Sequence, residues 1–399
     1  MYLTAREAAE ALSITVPTLY AYTSRGQLRS EEVPGTPRQR RYRREDIDRL
    51  LERKEARRDP SKAAARGLHW GSPVLESKIT LIENGRHYYR GIDALKLAET
   101  ATLEEVAELL WGAGRLAAPW PVTGRRELAR MRGWSPDPLV RLQMALPLAG
   151  AVDPAAYDAR PDAVRRAGAR ILRLASVAIA GEESDGAAHE VLARAWAKGS
   201  NPAAEAIRKA LVLCADHELN VSAFTARCAA SAGSSVYDVV SAGLAALKGS
   251  RHGGESRRVA ALFEETRNGK RPRGVLQDRL KRDERLPGFG HPLYPAGDPR
   301  AEMLLRVAKE GHTGEEWRLA QALARAGRQI LHNSPNLDFG LVALARCFGL
   351  PDHAPIAIFA LGRTAGWIAH ALEEYSTGEM TRPRAEYRGP APSVVAARR

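Results

Sequence analysis

Residues 201–225 read NPAAEAIRKALVLCADHELNVSAFT. Asn201-Pro202 opens a helix, and Ile207, Leu211 and Cys214 fall on one face of it at helical spacing. The stripe runs into Asp216, His217 and Glu218, three ionisable side chains in a row. The same grammar recurs along the chain. Thr102 and Glu105 form a capping box ahead of Val106, Leu109 and Leu110. Val236, Val240, Leu244 and Leu247 make a further stripe, stopped by Lys248-Gly249. From about Leu95 onward the pattern is helical throughout, and no alternation of strands and helices calls for a parallel sheet. Pro73–Tyr89 is different: β-formers alternate around Asn84-Gly85, which predicts a hairpin. Neither a Walker loop nor a GxGxxG turn is present, so P-loop and dinucleotide sites are not expected.

Composition sets the outer bounds. The chain has 399 residues, 44% of them apolar and 27% charged, with a mean hydropathy of −0.34. That allows two or three folded domains and excludes a mainly disordered chain. No stretch reaches about 18 apolar residues without a charge, and MYLTAREAAEAL lacks the apolar core of a secretory signal. Neither a membrane protein nor a secreted one is expected. Cys214, Cys228 and Cys347 are scattered and odd in number, which fits a reducing cytoplasm and no metal site. The net charge is +13, and it is unevenly spread. Residues 1–66 hold 15 Lys/Arg against 10 Asp/Glu, a denser basic excess than the remainder carries. Nucleic acid is a candidate partner there, and anionic small molecules are candidates elsewhere.

Residues 1–55 read as a small separate unit. Thr4 with Glu7 makes a capping box, and Ala8, Ala11 and Leu12 give that helix an apolar face. Ser13 turns the chain into a second helix with Pro17 near its start and Val16, Leu19 and Tyr20 marking its course. RQRRYRR at 38–44 packs five arginines into seven residues, and Glu45–Arg53 reads as a third helix. LTAREAAEALSITVPTLYAYTSRGQL and RRYRREDIDRLL resemble the N-terminal domain of MerR-like and excisionase-like DNA binders. That resemblance implies a small winged helix-turn-helix domain. It assigns Thr18, Tyr20 and Arg25 to a groove-reading helix and Arg40, Arg41 and Arg43 to a phosphate-gripping wing. A solvated basic hairpin on an accessory module explains the same residues. Residues 56–66, charged and Ala-rich, read as a linker.

Four segments of the larger part carry candidate chemistry. They are ADHELNVSAFT with His217, LKGSRHGGES with His252, LPGFGHPLYPAGDPR with His291 and Arg300, and Asn336–Arg384 with Asp338, Arg363, Arg382 and Arg384. Taken singly, each has a plain reading: a core histidine, a helix–helix turn, a surface connector. Arg363 shares a helical stripe with Phe359, Ala360 and Trp367, so its guanidinium needs a partner. Either an anionic ligand or an internal salt bridge to Glu373 or Glu374 supplies one.

Their order is more specific than any member. His217, His252, His291, Arg300, Asp338, Arg363 and Arg382 resemble, position by position, the active-site residues of the citrate synthase family. YYRGIDALKLAETATLEEVAELLW, NLDFG, GRTAGWIAHALEEY and RPRAEY extend the likeness over about residues 67–390. The resemblance implies an all-α fold with a large domain at 67–253 and 349–399 and a small domain at 254–348. It implies condensation of acetyl-CoA with oxaloacetate to citrate, the entry step of the tricarboxylic acid cycle. Acetyl-CoA is then a substrate, and no cofactor or metal is needed. Asp338 matches the base, His252 the donor to the enolate oxygen, and His291 the group polarising the ketone. His217, Arg300 and Arg363 match the oxaloacetate binders, and Arg382 an arginine supplied across a homodimer. Pro292, Pro295, Arg251 and Glu255-Ser256 depart from common family residues beside the CoA site. Propionyl-CoA, as in 2-methylcitrate synthase, is an alternative substrate. A DNA-binding regulator with a citrate-synthase-like sensor domain is an alternative function.

Overall fold

The computed structural model describes residues 2–25, 28–32, 40–44, 46–47, 50, 75–114, 130, 132–133, 135–182, 184–267, 271–311, 314–385 and 387–390. The chain divides into two compact units, Met1–Glu76 and Ser77–Arg399. The linker expected at 56–66 and most of the third N-terminal helix lie outside the described residues.

In the first unit, β1 (Tyr2–Thr4) runs into the helix Ala5–Ala11. The capping box forms: Glu7 N donates to Thr4 Oγ1 at 3.3 Å, and Thr4 N donates to the Glu7 carboxylate at 2.8 Å. Ser13 takes a left-handed φ of 50°, and the helix Val16–Ser24 follows, capped by Thr15. β2 (Ser30–Glu32) and β3 (Arg40–Arg43) pair antiparallel, and β3 also pairs with β1, giving the order β1-β3-β2. Ala8, Leu12, Leu19, Leu28, Tyr42 and Ile47 close a core of their own. The expected apolar face holds at Ala8 and Leu12 and widens to include Ala9, with Ala11 half-buried against the same core.

The second unit begins with the hairpin. β4 (Thr80–Glu83) and β5 (Arg86–Tyr89) pair around Asn84 and Gly85, at φ 52° and 72°. Two positive φ angles are what a two-residue turn between twisted strands requires. β6 (Ile92–Asp93) adds a third strand. Among the described residues helices follow as far as Thr377: Ala94–Thr100 comes first, and the Thr102–Glu105 capping box opens the next.

The helix Ala354–Thr377 is the axis of this unit. It is buried continuously from Ala354 to Ala371. Around it pack Leu103–Trp111, Pro161–Ala180, Asn201–Cys214, Val221–Ser231 and Val236–Leu247. Gly362 and Gly366, four residues apart, let it touch the end of Asn201–Cys214 backbone to backbone. A Cβ on Gly362 would sit 2.6 Å from the Leu211 carbonyl oxygen, and Gly366 N donates to Ala215 O at 3.0 Å.

A second apolar cluster gathers Val259, Leu262, Phe263, Leu276, Phe289, Leu323 and Phe339. The helix Leu337–Cys347 belongs to both clusters. It gives Leu341 and Leu344 to the large one, and Phe339, Val342 and Ala343 to the small one. Asp338 therefore stands on the seam between them. Among the described residues, no helix is long and apolar enough to cross a membrane.

Candidate active site

The close crossing of the axial helix with Asn201–Cys214 places Arg363. Its Nε donates to Cys214 O at 2.9 Å, and its guanidinium stacks on Phe359, 4.9 Å from the ring centre. No carboxylate among the described residues ion-pairs with it. The internal salt bridge considered for Glu373 and Glu374 is made by Arg227 instead, at 3.0 and 2.8 Å. Arg363 is 1% exposed, so its charge is buried and still open to an anion.

Past Cys214 the chain leaves the helix through Asp216 and His217, and Asn220 caps the next one. Asn220 Oδ1 accepts from Ser222 N and Ala223 N at 3.1 and 3.2 Å. The hairpin clamps this bend. Thr80 Oγ1 donates to Asp216 Oδ2 at 2.6 Å, Tyr89 Oη to Val212 O at 2.9 Å, and Ile82 N to the Glu218 carboxylate at 3.3 Å. Asp216 also faces His370 Nε2 at 3.3 Å. Burial opposes its ionisation, yet His370 and Arg363 hold its carboxyl below the usual range.

His217 lies 3.0 Å from Tyr294 Oη through Nε2, and its ring meets His291 edge-on at 5.1 Å. His291 Nδ1 accepts from Leu293 N at 3.2 Å. In the neutral ring that bond leaves the proton on Nε2. Arg300 is clamped by Asp298 through two bonds of 3.0 and 2.9 Å. The other lone pairs of Asp298 accept from Leu337 N at 3.1 Å, which ties the arginine to the head of the Asp338 helix. Gly290 N donates to Ser334 O at 2.9 Å and Asn336 N to Gly288 O at 2.9 Å, so the His291 loop is laced to the same helix head.

Asp338 is the outlier. Its Oδ1 is buried without a hydrogen-bond partner. Burial first, and then the charge of Glu255, push its carboxyl up to about 7. The histidines move the other way. Burial, followed by Arg363, lowers His252 to about 4, and burial with Arg300 does the same to His291. Burial and Arg300 also hold His217 well below its ordinary value. All are neutral near pH 7, when Asp338 is poised to exchange a proton. His252 Nε2 lies 2.9 Å from Ser222 Oγ, and its ring stands edge-on to Phe359 at 5.7 Å. Phe359 thus touches both His252 and Arg363.

The N-terminal residues are presented differently. Tyr20 is 49% exposed and Arg25 is exposed at the end of the second helix. Thr18 is engaged by its own helix start, its Oγ1 lying 2.9 Å from that of Thr15. In the hairpin, Arg40 donates to Ser30 Oγ at 2.8 Å. Arg41 is partly neutralised: it pairs with Glu31 at 3.1 Å and lies over the Tyr2 ring. Arg43 lies on β3 opposite Tyr2.

Residues 67–384 match the family model described as citrate synthase, C-terminal domain. The chain belongs to the citrate synthase family. Residues 2–55 match the model of a helix-turn-helix domain. Citrate synthase 2 of Bacillus subtilis is 30% identical over 364 residues, covering 82% of this chain and 96% of that one. 2-Methylcitrate synthase 2 of Corynebacterium glutamicum is 29% identical, covering 75% and 88%. The crystal structure of citrate synthase from Thermotoga maritima superposes with a TM-score of 0.67 at 28% identity, over 82% of this chain and 98% of that one.

For a citrate synthase, six of the seven residues singled out in the sequence are drawn together through shared partners. Arg382 is not. It lies exposed beyond Thr377, on the segment that leaves the axial helix. Sequence reasoning passed over Asp298, Tyr294, Ser222 and His87. Asp298 had a signal, a carboxylate two residues before an arginine. His87 had none, because the hairpin that carries it was read only for its turn. Among the described residues, no group of three or more His, Cys, Asp or Glu is placed to hold a metal ion.

Proposed function

We propose that the protein condenses acetyl-CoA with oxaloacetate to give citrate and CoA. The observation that carries this reading is Asp338, half-buried, with Oδ1 enclosed and without a hydrogen-bond partner and its carboxyl pushed up to about 7, set among neutral histidines and buried arginines. Asp338 takes a proton from the acetyl methyl group, and the C–H electron pair becomes the enolate. His252, which touches Ser222 and Phe359, serves as the hydrogen-bond donor to the enolate oxygen. The enolate carbon attacks the oxaloacetate ketone, whose oxygen accepts a hydrogen bond from His291 Nε2–H. Arg300, Arg363 and His217 hold the dianion, and paired arginine contacts fix its orientation as well as its charge. Water then cleaves the thioester of citryl-CoA and releases the thiol.

We place a large domain at 67–253 and 349–399 and a small one at 254–348, with catalysis on the seam. The second apolar cluster, which lies wholly within 254–348, favours this division, while Met303, Leu304, Val307 and Ala308 of that range pack into the large cluster. The exposed Arg382 supports a homodimer in which it completes the neighbouring site. Three free cysteines are in keeping with a cytoplasmic enzyme. Oxaloacetate-dependent thiol release, measured with acetyl-CoA and with propionyl-CoA, tests the reaction and its acyl preference. A higher kcat/KM with propionyl-CoA would make the protein a 2-methylcitrate synthase.

The helix-turn-helix match and the exposed Tyr20, Arg25 and Arg40 favour a second activity, DNA binding by the N-terminal unit. Arg41 contributes less charge than its sequence promised, because Glu31 is paired with it.

A further inference from the structure

His87 sits on β5 beside Tyr89 and is 1% exposed. Neither ring nitrogen has a hydrogen-bond partner. Such a group loses its bonds to water and gains nothing in exchange, so the free protein bears a cost that a partner would relieve. Its surroundings say what that partner is. The ring stands edge-on to His217 at 5.4 Å and to Tyr89 at 4.7 Å. The paired strand β4, where Ile82 faces His87, is bonded to Glu218, the residue after His217. The charges of Arg300 and Arg363 both reach the ring. His87 therefore lies against His217, within the field of both arginines.

We propose that His87 is a further substrate-binding residue of the oxaloacetate pocket, donating an N–H to a carboxylate oxygen of the oxo-acid. The inference rests on the reading of the site as the oxaloacetate site. An oxo-dicarboxylate offers only acceptors, so the imidazole serves as a donor. Burial and the two arginines keep it neutral, at about 3. It therefore adds direction without adding charge. Arg300 and Arg363 attract the dianion, and His87 selects how it lies.

The test is oxaloacetate binding by isothermal titration to the full-length protein without acyl-CoA, alongside thermal melts. His87→Leu should raise the melting temperature of the free protein, because two unpaired nitrogens are replaced by apolar surface. It should weaken oxaloacetate binding about tenfold to a hundredfold and leave the KM for acetyl-CoA unchanged. His87→Gln, which keeps a donor, should recover most of the affinity. Unchanged oxaloacetate affinity in a folded His87→Leu would overturn the inference, as would a lowered melting temperature in both variants, which would make the imidazole structural. A wild-type protein that binds no oxaloacetate would instead remove the functional reading beneath it.

Discussion

Asp338 dominates the response of this site to pH. Unfolding returns its carboxyl to about 3.8, whereas the fold holds it near 7. The folded state thus binds this proton more tightly. The contribution to stability is full below about pH 4 and is lost as pH rises through 7. Asp338→Asn removes the charge and keeps the shape, so it should raise the melting temperature of the free enzyme at pH 8. The gain has a ceiling of roughly 4 kcal/mol and should shrink as pH falls toward 5. A melting temperature equally shifted at both pH values would place the effect in packing and not in ionisation. On the proposal that Asp338 is the base, it must be ionised to act, so kcat/KM should fall on the acid side with a midpoint near 7. The histidines oppose this trend. His252 and His291, held at about 4, stay neutral in the fold while the unfolded chain takes up protons below about 6.5. Their share of stability is lost as pH falls from 6.5 toward 4. At this scale the residue types were legible and their environments were not. Arg363 stood out as a charge in an apolar helix, and His217 and Asp338 through the motifs that carry them. That Asp298 clamps Arg300, or that Tyr294 meets His217, depends on how a Gly- and Pro-rich loop closes.

At the scale of elements, the site is made by one helix crossing. Gly362 and Gly366 bring the axial helix against Asn201–Cys214, and that contact sets Arg363 on Cys214 O. In Gly362→Ala the new Cβ would meet Leu211 O at 2.6 Å and Cys214 Cβ at 2.8 Å, both too close to accommodate without moving a helix. The substitution should cost about 1–3 kcal/mol and raise the KM for oxaloacetate more than that for acetyl-CoA. Gly114→Ala, which meets nothing within 4 Å, is the control for melts and kinetics. Equal behaviour of the two variants would deny the crossing its role. Helix starts were plain in the sequence, since Thr4–Glu7 and Thr102–Glu105 are local devices that form wherever they occur. The hairpin turn was equally plain at Asn84-Gly85. The third strand β6 was not, because two residues carry too little pattern, and the crossing glycines were not, because their reason lies 150 residues away.

The whole molecule joins a citrate synthase body to a small basic unit with its own core. That separate core argues that the two fold independently. Deleting residues 1–60 should leave oxaloacetate-dependent thiol release within about twofold of the full chain and abolish any salt-sensitive DNA shift. Loss of folding in the truncated protein would contradict this. Assembly is exposed to a complementation test. Mixing Arg382→Ala subunits with Asp338→Ala subunits should restore activity if Arg382 acts in the neighbouring site, since one site of each mixed dimer then carries neither change. No recovery after confirmed subunit exchange would place Arg382 outside that role. The central claim is that Asp338 is the base of a condensation, and one comparison reaches it directly: oxaloacetate-dependent CoA release from acetyl-CoA in the wild type and in Asp338→Ala. Turnover should fall by about 10²–10⁴ with oxaloacetate affinity nearly unchanged. Wild-type turnover in a folded Asp338→Ala enzyme would contradict the account.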